Sequence, residues 1–376
     1  MSEPLPRVEP GVAPPPTPRE WAVAGGLYLL TCLSVWTTYG FFWNGGPPWR
    51  DVGAAREAGA FALGLMTIFS AHEAGHYVVA RRWGVRQSLP HFIPFPMAFG
   101  TLGAIIRLRS LPPSRAALLE IGAAGPLAGF VVACGVLVLA LPDTVQITSP
   151  TLTVDWPPPI PPPLAATAPG LLDQALSTWP ISMMFPMFEP GAQQLLILAN
   201  PGVMDLLGLL VIGEAPGRYA ELSALGMAGW AGCFLTAMNL LPIGQLDGGH
   251  VVHALSPRHA PRIGQVTLAL VLLSGALWGG WLVWGLLLWK LGAHRGLQVA
   301  RPEPPGRRAQ WTAIGAALAL AGCFMLQPLK AEVWGLLDLE LRTPDGAVVS
   351  ADEKRAWLQA AGAPAQPAPP TGEDAP

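Results

Sequence analysis

The motif His72-Glu73-Ala74-Gly75-His76 lies inside an apolar run over residues 59–80. On a helix, His72 and His76 are i and i+4, so both imidazoles leave the same face about one turn apart. That spacing allows two ring nitrogens to bind one metal ion, while Glu73 can take a proton from a water on the metal. The motif therefore predicts a zinc site that carries its own general base.

Composition makes the position of this motif informative. The chain has 376 residues, of which 51% are hydrophobic and 12% are charged, and its mean hydropathy is +0.41. Soluble domains carry about 25% charged residues, so this composition predicts an all-α polytopic membrane protein in a lipid bilayer. Ionisable side chains in a membrane span are costly and are functional candidates for that reason. A net charge of −2 gives no indication of a nucleic-acid partner.

Two other interpretations of the motif are open at this point. The histidines could be core residues satisfied by polar neighbours, with Glu73 neutral, or the motif could belong to a closed structural zinc site. A closed site normally has four protein ligands, often cysteines. The cysteines of this chain stand singly in apolar runs, far from the motif, and also give no disulfide framework. They are Cys32, Cys134, Cys233 and Cys323.

Six apolar runs predict transmembrane helices. They cover residues 21–43, 58–80, 116–141, 222–242, 264–288 and 311–326. Residues 194–212 are also apolar, but Asn200-Pro201 interrupts them and favours an interfacial helix or a partial span. Glu73 lies eight residues before the basic border at Arg81, which puts it about 12 Å below that membrane surface.

The segment over residues 89–108 is apolar but is interrupted by three prolines and two glycines. Non-helical backbone at membrane depth is tolerated only where protein or a water-filled cavity satisfies its hydrogen bonds. We therefore predict a re-entrant loop or hairpin beside the zinc site, with an amphipathic surface loop as the alternative.

Basic residues indicate the orientation of the chain. Six arginines lie between residues 81 and 115, whereas the Pro-rich loop and the residues after it, up to the fourth span, contain only Arg218. The positive-inside rule places residues 81–115 in the cytoplasm and the Pro-rich loop outside. With six spans, however, the five basic residues of the segment 290–308 fall outside. This conflict disappears if residues 194–212 cross the membrane fully.

A second motif supplies a candidate third metal ligand. The sequence from Asn239 through Pro242 to Asp247-Gly-Gly-His250 should unwind the fourth span, because proline and glycine interrupt helices. Asp247 is the only acidic residue between Glu221 and Glu303, and a lone carboxylate there is a natural partner for two histidines. The competing candidates are His250 and His253, and Glu120 could in principle reach a metal, although an interfacial carboxylate is the expected role of Glu120.

Four segments carry a resemblance to a known family. They are the histidine motif, Phe99-Gly-Thr-Leu-Gly-Ala104, Gly122-Ala-Ala-Gly-Pro-Leu-Ala-Gly129, and Asn239-Leu-Leu-Pro-Ile-Gly-Gln-Leu-Asp-Gly-Gly249. In this order they resemble the site-2 proteases, zinc metalloproteases that cut other proteins within the membrane. The Gly-Gln-Leu-Asp-Gly-Gly-His version is similar to the branch with cyanobacterial and chloroplast members. No PDZ domain or CBS pair fits in the chain.

The resemblance implies a role for each matched residue in the metal site. His72, His76 and Asp247 would bind Zn2+, and Glu73 would activate the zinc-bound water. Asn239 would help to bind the substrate backbone or steady the oxyanion.

The resemblance also implies how a substrate is held. The segment from Gly100 to Ile106, with Thr101 and Gly103, would hold the substrate as an extended strand. The implied activity is hydrolysis of peptide bonds within or near transmembrane segments of membrane-anchored proteins, which is regulated intramembrane proteolysis. The alternatives are an inactive zinc-binding assembly factor and an ion transporter.

The predicted organisation has three parts. A disordered tail over residues 1–20 precedes a transmembrane protease domain over residues 21–328, with its core at 58–256 and a Pro-rich loop at 142–190. Residues 329–376 form a polar, partly disordered tail. We expect an integral multi-pass protein of a bacterial cytoplasmic membrane, and the sequence carries no signal for an oligomeric state.

Overall fold

The computed structural model describes residues 16–106, 109–146, 151–153, 194–216, 220–290, 299, 303–333, 340–343 and 345–360. The described residues are mostly helical. The helices are α1 (Pro18–Thr38), α2 (Val52–Arg82), α3 (Arg115–Ala140), α4 (Gly202–Val211), α5 (Ala224–Leu240), α6 (Asp247–Leu255), α7 (Ala260–Ser274), α8 (Gly279–Lys290), α9 (Arg307–Cys323) and α10 (Ala351–Ala360). The strands are β1 (His91–Pro94), β2 (Thr101–Ile105), β3 (Val145–Gln146), β4 (Thr151–Thr153), β5 (Gln194–Leu198), β6 (Ala220–Glu221), β7 (Leu329–Val333) and β8 (Glu340–Arg342).

Three helical stretches are long and apolar enough to cross a membrane, and they match the first three predicted spans. They are Pro18–Trp43, Val52–Arg82 and Arg115–Asp143, the first of which ends in a π-helical turn. Each of these helices begins at a polar cap upstream of the apolar run. Thr17 and Glu20 form a capping box at the start of α1. α1 therefore begins inside the tail predicted over residues 1–20. Residues 1–15 of that tail lie outside the described part of the chain.

The chain divides into two compact units. The first comprises residues 1–146 and 198–328, and the second comprises residues 147–197 and 329–376. In the second unit, β4 pairs with β8 in parallel and β5 pairs with β7, so strands from the two sequence segments meet. Of the loop predicted over residues 142–190, residues 142–146 belong to the first unit and the rest to the second. Its proline run at 157–163 lies outside the described residues.

The centre of the first unit is the packing of α2, α3 and α5. Three glycines let these helices approach each other closely, because a Cβ at each of the three positions would meet the neighbouring helix. At Gly64 it would lie 2.8 Å from Ala228 Cβ, and at Gly229 it would lie 2.8 Å from the Leu137 side chain. At Gly75 a Cβ would overlap the Ala124 carbonyl oxygen.

Residues 91–105 form an antiparallel hairpin in which His91 pairs with Ile105. At its tip, Trp43 Nε1 donates a hydrogen bond to the Ala98 carbonyl at 2.8 Å. Gly100 has φ +85 and packs so closely on the Val35 backbone that a side chain has no room. At its base, Arg109 forms an ion pair of 2.6 Å with Glu20. The hairpin therefore runs along α1.

The prediction of a single fifth span over residues 264–288 is wrong. The structure divides it into α7 and α8, which pack as an antiparallel pair. A Cβ on Gly275 would lie 2.9 Å from Leu282 Cβ, and a Cβ on Gly285 would lie 2.7 Å from Leu272 Cδ2. The close packing at these two glycines brings α8 back along α7, which a continuous helix would not allow.

The turn between α7 and α8 also removes the charge conflict that six spans created. α8 ends at Lys290, at the same end of the unit as the start of α7. Arg115 also lies at this end, because it donates a hydrogen bond of 2.6 Å to the carbonyl of Leu255, shortly before α7. The first helical turn of α9 lies at the same end, because Arg308 is 3.7 Å from the Glu120 carboxylate. The described basic residues of segments 81–115 and 290–308 therefore share one end.

The region over residues 194–212 contains a strand followed by a short helix. α4 has 10 residues, with Pro201 at its N-cap, and its rise of about 15 Å is half of a hydrocarbon core. The interpretation as a partial span agrees with this length.

Candidate metal centre and active site

The two motif histidines lie on α2 as their spacing predicts. Their side chains are mostly buried, and the Nε2 atoms of His72 and His76 are 3.1 Å apart. Two ring nitrogens at this separation converge on a common point, as ligands of one ion must.

Asp247 reaches the histidines because the chain turns sharply after α5. That helix ends at Leu240, and α6 begins at Asp247 itself. Gly248 makes the turn possible, because a Cβ there would overlap the Leu240 carbonyl oxygen. As a result, Asp247 Oδ2 lies 3.3 Å from Nε2 of His72 and 3.3 Å from Nε2 of His76.

These three atoms fit the ligand set of a zinc ion. Their separations of 3.1, 3.3 and 3.3 Å form a nearly equilateral triangle. A tetrahedral site with Zn–N and Zn–O bonds of 2.0–2.1 Å has ligand atoms about 3.3–3.4 Å apart. Among the described residues, this is the one group of three histidine, cysteine or acidic side chains close enough together to hold a metal. Three protein ligands leave a fourth position open, as catalytic zinc sites require.

The competing ligand candidates are not part of this triangle. His250 packs against α3, with its Cβ 2.7 Å from the position of a Cβ on Gly122. His253 is not part of the triangle. Glu120 accepts a hydrogen bond of 3.0 Å from Trp83 Nε1, which is the interfacial role expected for this carboxylate.

His76 is oriented by the backbone of α3. Its Nδ1 donates to the Ile121 carbonyl at 2.7 Å, which leaves Nε2 free for a metal. Pro126 lies inside this helix and has no N–H for the carbonyl of Gly122. The histidine therefore meets α3 where its hydrogen-bond ladder is interrupted.

The glycines of α3 accommodate the histidine rings. A Cβ on Gly125 would overlap His76 Nε2, and a Cβ on Gly129 would lie 3.4 Å from His72 Nδ1. In the sequence, Gly125 and Gly129 stand out only as part of the segment 122–129 that carries the family resemblance, and as small residues four apart, which suit close helix packing. The signal for the further role was present, because the two glycines have the same spacing of four residues as the two histidines.

We expect Gly125→Ala to lower the zinc content of the purified protein well below one ion per chain. The new methyl group would occupy the space of His76 Nε2, and displacement of a ligand by about 1 Å is enough to impair a preorganised site. Zinc per chain, measured after size-exclusion chromatography, checks this. Gly135→Ala is the matched control, because a Cβ there has no atom within 4 Å. A full zinc complement in Gly125→Ala would show that the ring has another position available.

Glu73 lies near the triangle, and Asn239 shares a pocket with one of its histidines. Glu73 is 6% exposed and lies within electrostatic reach of all three triangle residues. Asn239, near the end of α5, lines a pocket together with His72. A carboxylate thus lies near the three ligand atoms, and a carboxamide lies in the pocket that His72 also lines.

The three hairpin residues predicted to bind substrate have different surroundings. Gly100 packs on α1. The Thr101 hydroxyl stays within the hairpin, where it donates to the Ile93 carbonyl at 3.0 Å and accepts from the Gly103 N–H at 3.0 Å. Gly103 faces α2, where a Cβ would lie 3.7 Å from Phe69 Cε1. Of the three, Gly103 contacts the helix that carries the histidines.

The chain is similar to known zinc metalloproteases. The model of Peptidase family M50 matches residues 60–277, more than half of the chain. The chain is 27% identical over 278 residues to "Probable zinc metalloprotease EGY2, chloroplastic" of Oryza sativa subsp. indica, which covers 71% of this chain and 42% of that protein. It is 30% identical over 201 residues to "Probable zinc metalloprotease EGY1, chloroplastic" of Arabidopsis thaliana, covering 53% of this chain and 30% of that protein.

The chain spans less than half the length of these relatives. No solved structure was found to match it. The matched region contains the histidine motif, the glycine face of α3 and Asp247. The chain belongs to Peptidase family M50, the site-2 protease family.

Proposed function

We propose that this protein is an intramembrane endopeptidase that hydrolyses peptide bonds within or near transmembrane segments of membrane-anchored proteins. The observation that carries the proposal is the triangle of His72, His76 and Asp247. Its two histidines, together with Glu73, lie on a 31-residue helix that is apolar enough to cross a membrane. The transmembrane protease domain is residues 21–328, and every residue of the proposed site falls in its core at 58–256.

His72, His76 and Asp247 are the proposed zinc ligands. They would hold a zinc ion, which would supply Lewis-acid chemistry for activating water near neutral pH and for polarising a peptide carbonyl. The His76–Ile121 hydrogen bond fixes the tautomer that presents Nε2 to the ion. The proximity of His72 to Gly129 restricts rotation of the other ring.

Glu73 is the proposed general base. Its carboxylate takes a proton from the attacking water and returns it to the amine that leaves, so a single group serves both transfers. Burial of Glu73 excludes bulk water from these transfers. Asn239 is proposed to donate its amide N–H to the substrate carbonyl, where negative charge develops.

The hairpin over residues 91–105 is proposed to be re-entrant and to hold the substrate. Its base lies at Glu20 and its tip at Val35, so it extends about 22 Å along α1. β2 carries Gly103 beside α2, and the substrate would add to it as an extended strand. A substrate helix must unwind for this pairing, so helix-breaking residues near the cut should favour cleavage.

The membrane of this proposal is a bacterial cytoplasmic membrane, and the end bearing Arg81, Arg115 and Arg308 faces the cytoplasm. Five of the six predicted crossings remain in the proposed topology, and α7 and α8 together form a helical hairpin in place of the fifth. The partners are single-span or anchored protein substrates.

Removal of zinc tests the proposed function. We expect purified protein in detergent to cleave a panel of single-span substrates, to lose this activity with a zinc chelator, and to regain it when zinc is restored. Magnesium should not replace zinc, because an N2O ligand set does not suit it. Cleavage that persists in fully zinc-free protein would contradict the proposal. Flux of ions without cleavage would favour the transporter alternative.

A further inference from the structure

A pocket opens between α2 and α5 beside the proposed metal ligands. Each helix contributes four lining residues at positions i, i+3, i+4 and i+7, from Leu65 to His72 and from Gly232 to Asn239. The helices run parallel here, so His72 and Asn239 lie at the same end of the pocket. Its cavity volume is about 10 Å³, which leaves room for one small group only.

The end of the pocket away from the active site is closed. A Cβ on Gly232 would lie 2.7 Å from Ile68 Cδ1, so the two helices are in contact there. Only the end at His72 and Asn239 leads toward the triangle of ligand atoms. A group entering from the active site would therefore find a floor formed by Ile68 and Gly232.

Away from His72 and Asn239, the walls of the pocket are mostly hydrocarbon. Leu65 is fully buried, Phe69 is 6% exposed, and Leu235 is half-buried. Thr236 donates its hydroxyl to the Gly232 carbonyl at 2.8 Å, so this donor is not directed at an occupant. A charged group below His72 and Asn239 would meet no charged partner on these walls and would lose its hydration.

The mouth of the pocket lies where a substrate strand would pass. Phe69 lines the pocket and also lies close to Gly103 of β2. A Cβ on Gly103 would be 3.7 Å from Cε1 of Phe69. Side chains of an extended strand alternate in direction. A strand lying along β2 at the height of His72 can therefore direct one side chain into the pocket.

We propose that this pocket is a specificity subsite that receives a small apolar side chain, between alanine and valine in size, from a residue flanking the scissile bond. The closed floor and the bulky walls exclude aromatic side chains, and the apolar lining excludes charged ones. The inference rests on the proposed function and adds to it a class of substrate sequence.

Leu235→Ala tests the proposal by enlarging the pocket without touching a proposed catalytic group. The assay compares kcat/KM for substrates that differ only at the residues flanking the cut, carrying alanine, valine, leucine, phenylalanine or aspartate. Wild type should prefer alanine and valine. In Leu235→Ala the ratio for leucine over alanine should rise by about tenfold or more, because one or two methylene groups in an apolar pocket control such ratios.

Leu63→Ala is the matched control, because Leu63 lies on the same bundle but is 71% exposed. It should keep the wild-type preference. A wild type without side-chain preference, or a Leu235→Ala variant with the wild-type profile, would overturn the subsite and leave the protease intact. Absence of any chelator-sensitive cleavage by wild type would overturn the proposed function and the subsite together.

A second measurement does not depend on turnover. A photoreactive amino acid at position 235 in the Glu73→Gln background is irradiated with bound substrate, and the crosslinked substrate residue is mapped by mass spectrometry. A crosslink to a residue flanking the cut made by wild type supports the subsite. A crosslink confined to residues more than one helical turn from the cut overturns it.

Discussion

Glu73→Gln should lower kcat by about 10²–10⁴-fold while the protein keeps its zinc, because loss of a positioned general base costs this much. Glutamine preserves the shape of the side chain but cannot accept the proton. The three proposed ligands are unchanged, so the metal content should stay at one ion per chain. The measurement pairs initial rates on single-span substrates with zinc per chain.

Glu57→Gln provides a control on the same helix. Its carboxylate accepts a hydrogen bond of 2.7 Å from Asn44 Nδ2, far from the motif along α2. This variant should retain wild-type rates and wild-type zinc. If Glu73→Gln cleaved as fast as wild type, Glu73 would have no part in proton transfer and the proposed mechanism would fail.

Asp247→Ala should remove both zinc and activity. Without its carboxylate only two nitrogen ligands remain, and a site with two protein ligands holds zinc far less tightly than one with three. Loss of an outer-shell partner alone costs about 10–100-fold in metal affinity, so loss of a ligand should cost more. Zinc retained after dialysis against a competing chelator measures the effect.

Asp247→Asn separates charge from shape, and His253→Ala controls for a mutation on the same helix. His253→Ala should keep its zinc, because this histidine is outside the triangle of ligand atoms. Full zinc in Asp247→Ala, together with loss of zinc in His250→Ala, would transfer the ligand role to His250.

The motif on α2 was predictable because its information is local. The i, i+4 spacing places two imidazoles on one helical face wherever the helix goes. Asp247 is distant in sequence, and its selection depended on its being a lone carboxylate beside helix-breaking residues. Only the turn after Leu240, which Gly248 permits, brings it to the histidines.

The fifth span was not predictable from hydropathy. Residues 264–288 are apolar throughout, and an apolar average does not distinguish one long helix from two short antiparallel ones. The turn depends on contacts between Gly285 and Leu272, which are tertiary and leave no periodic signal. The role of Gly125 was hidden in a similar way, because small residues indicate close packing without indicating what packs there.

The contact between the histidines and α3 has a consequence for how the ion is acquired. The two rings are held by glycine backbone and by the Ile121 carbonyl, and Asp247 is held by the first turn of α6. Little side-chain rotation is left to freeze when an ion arrives, so the conformational entropy of these groups was lost when the helices packed. Packing of the helices therefore contributes to the affinity for metal, and a substitution that loosens the α2–α3 contact should weaken zinc binding without altering a ligand.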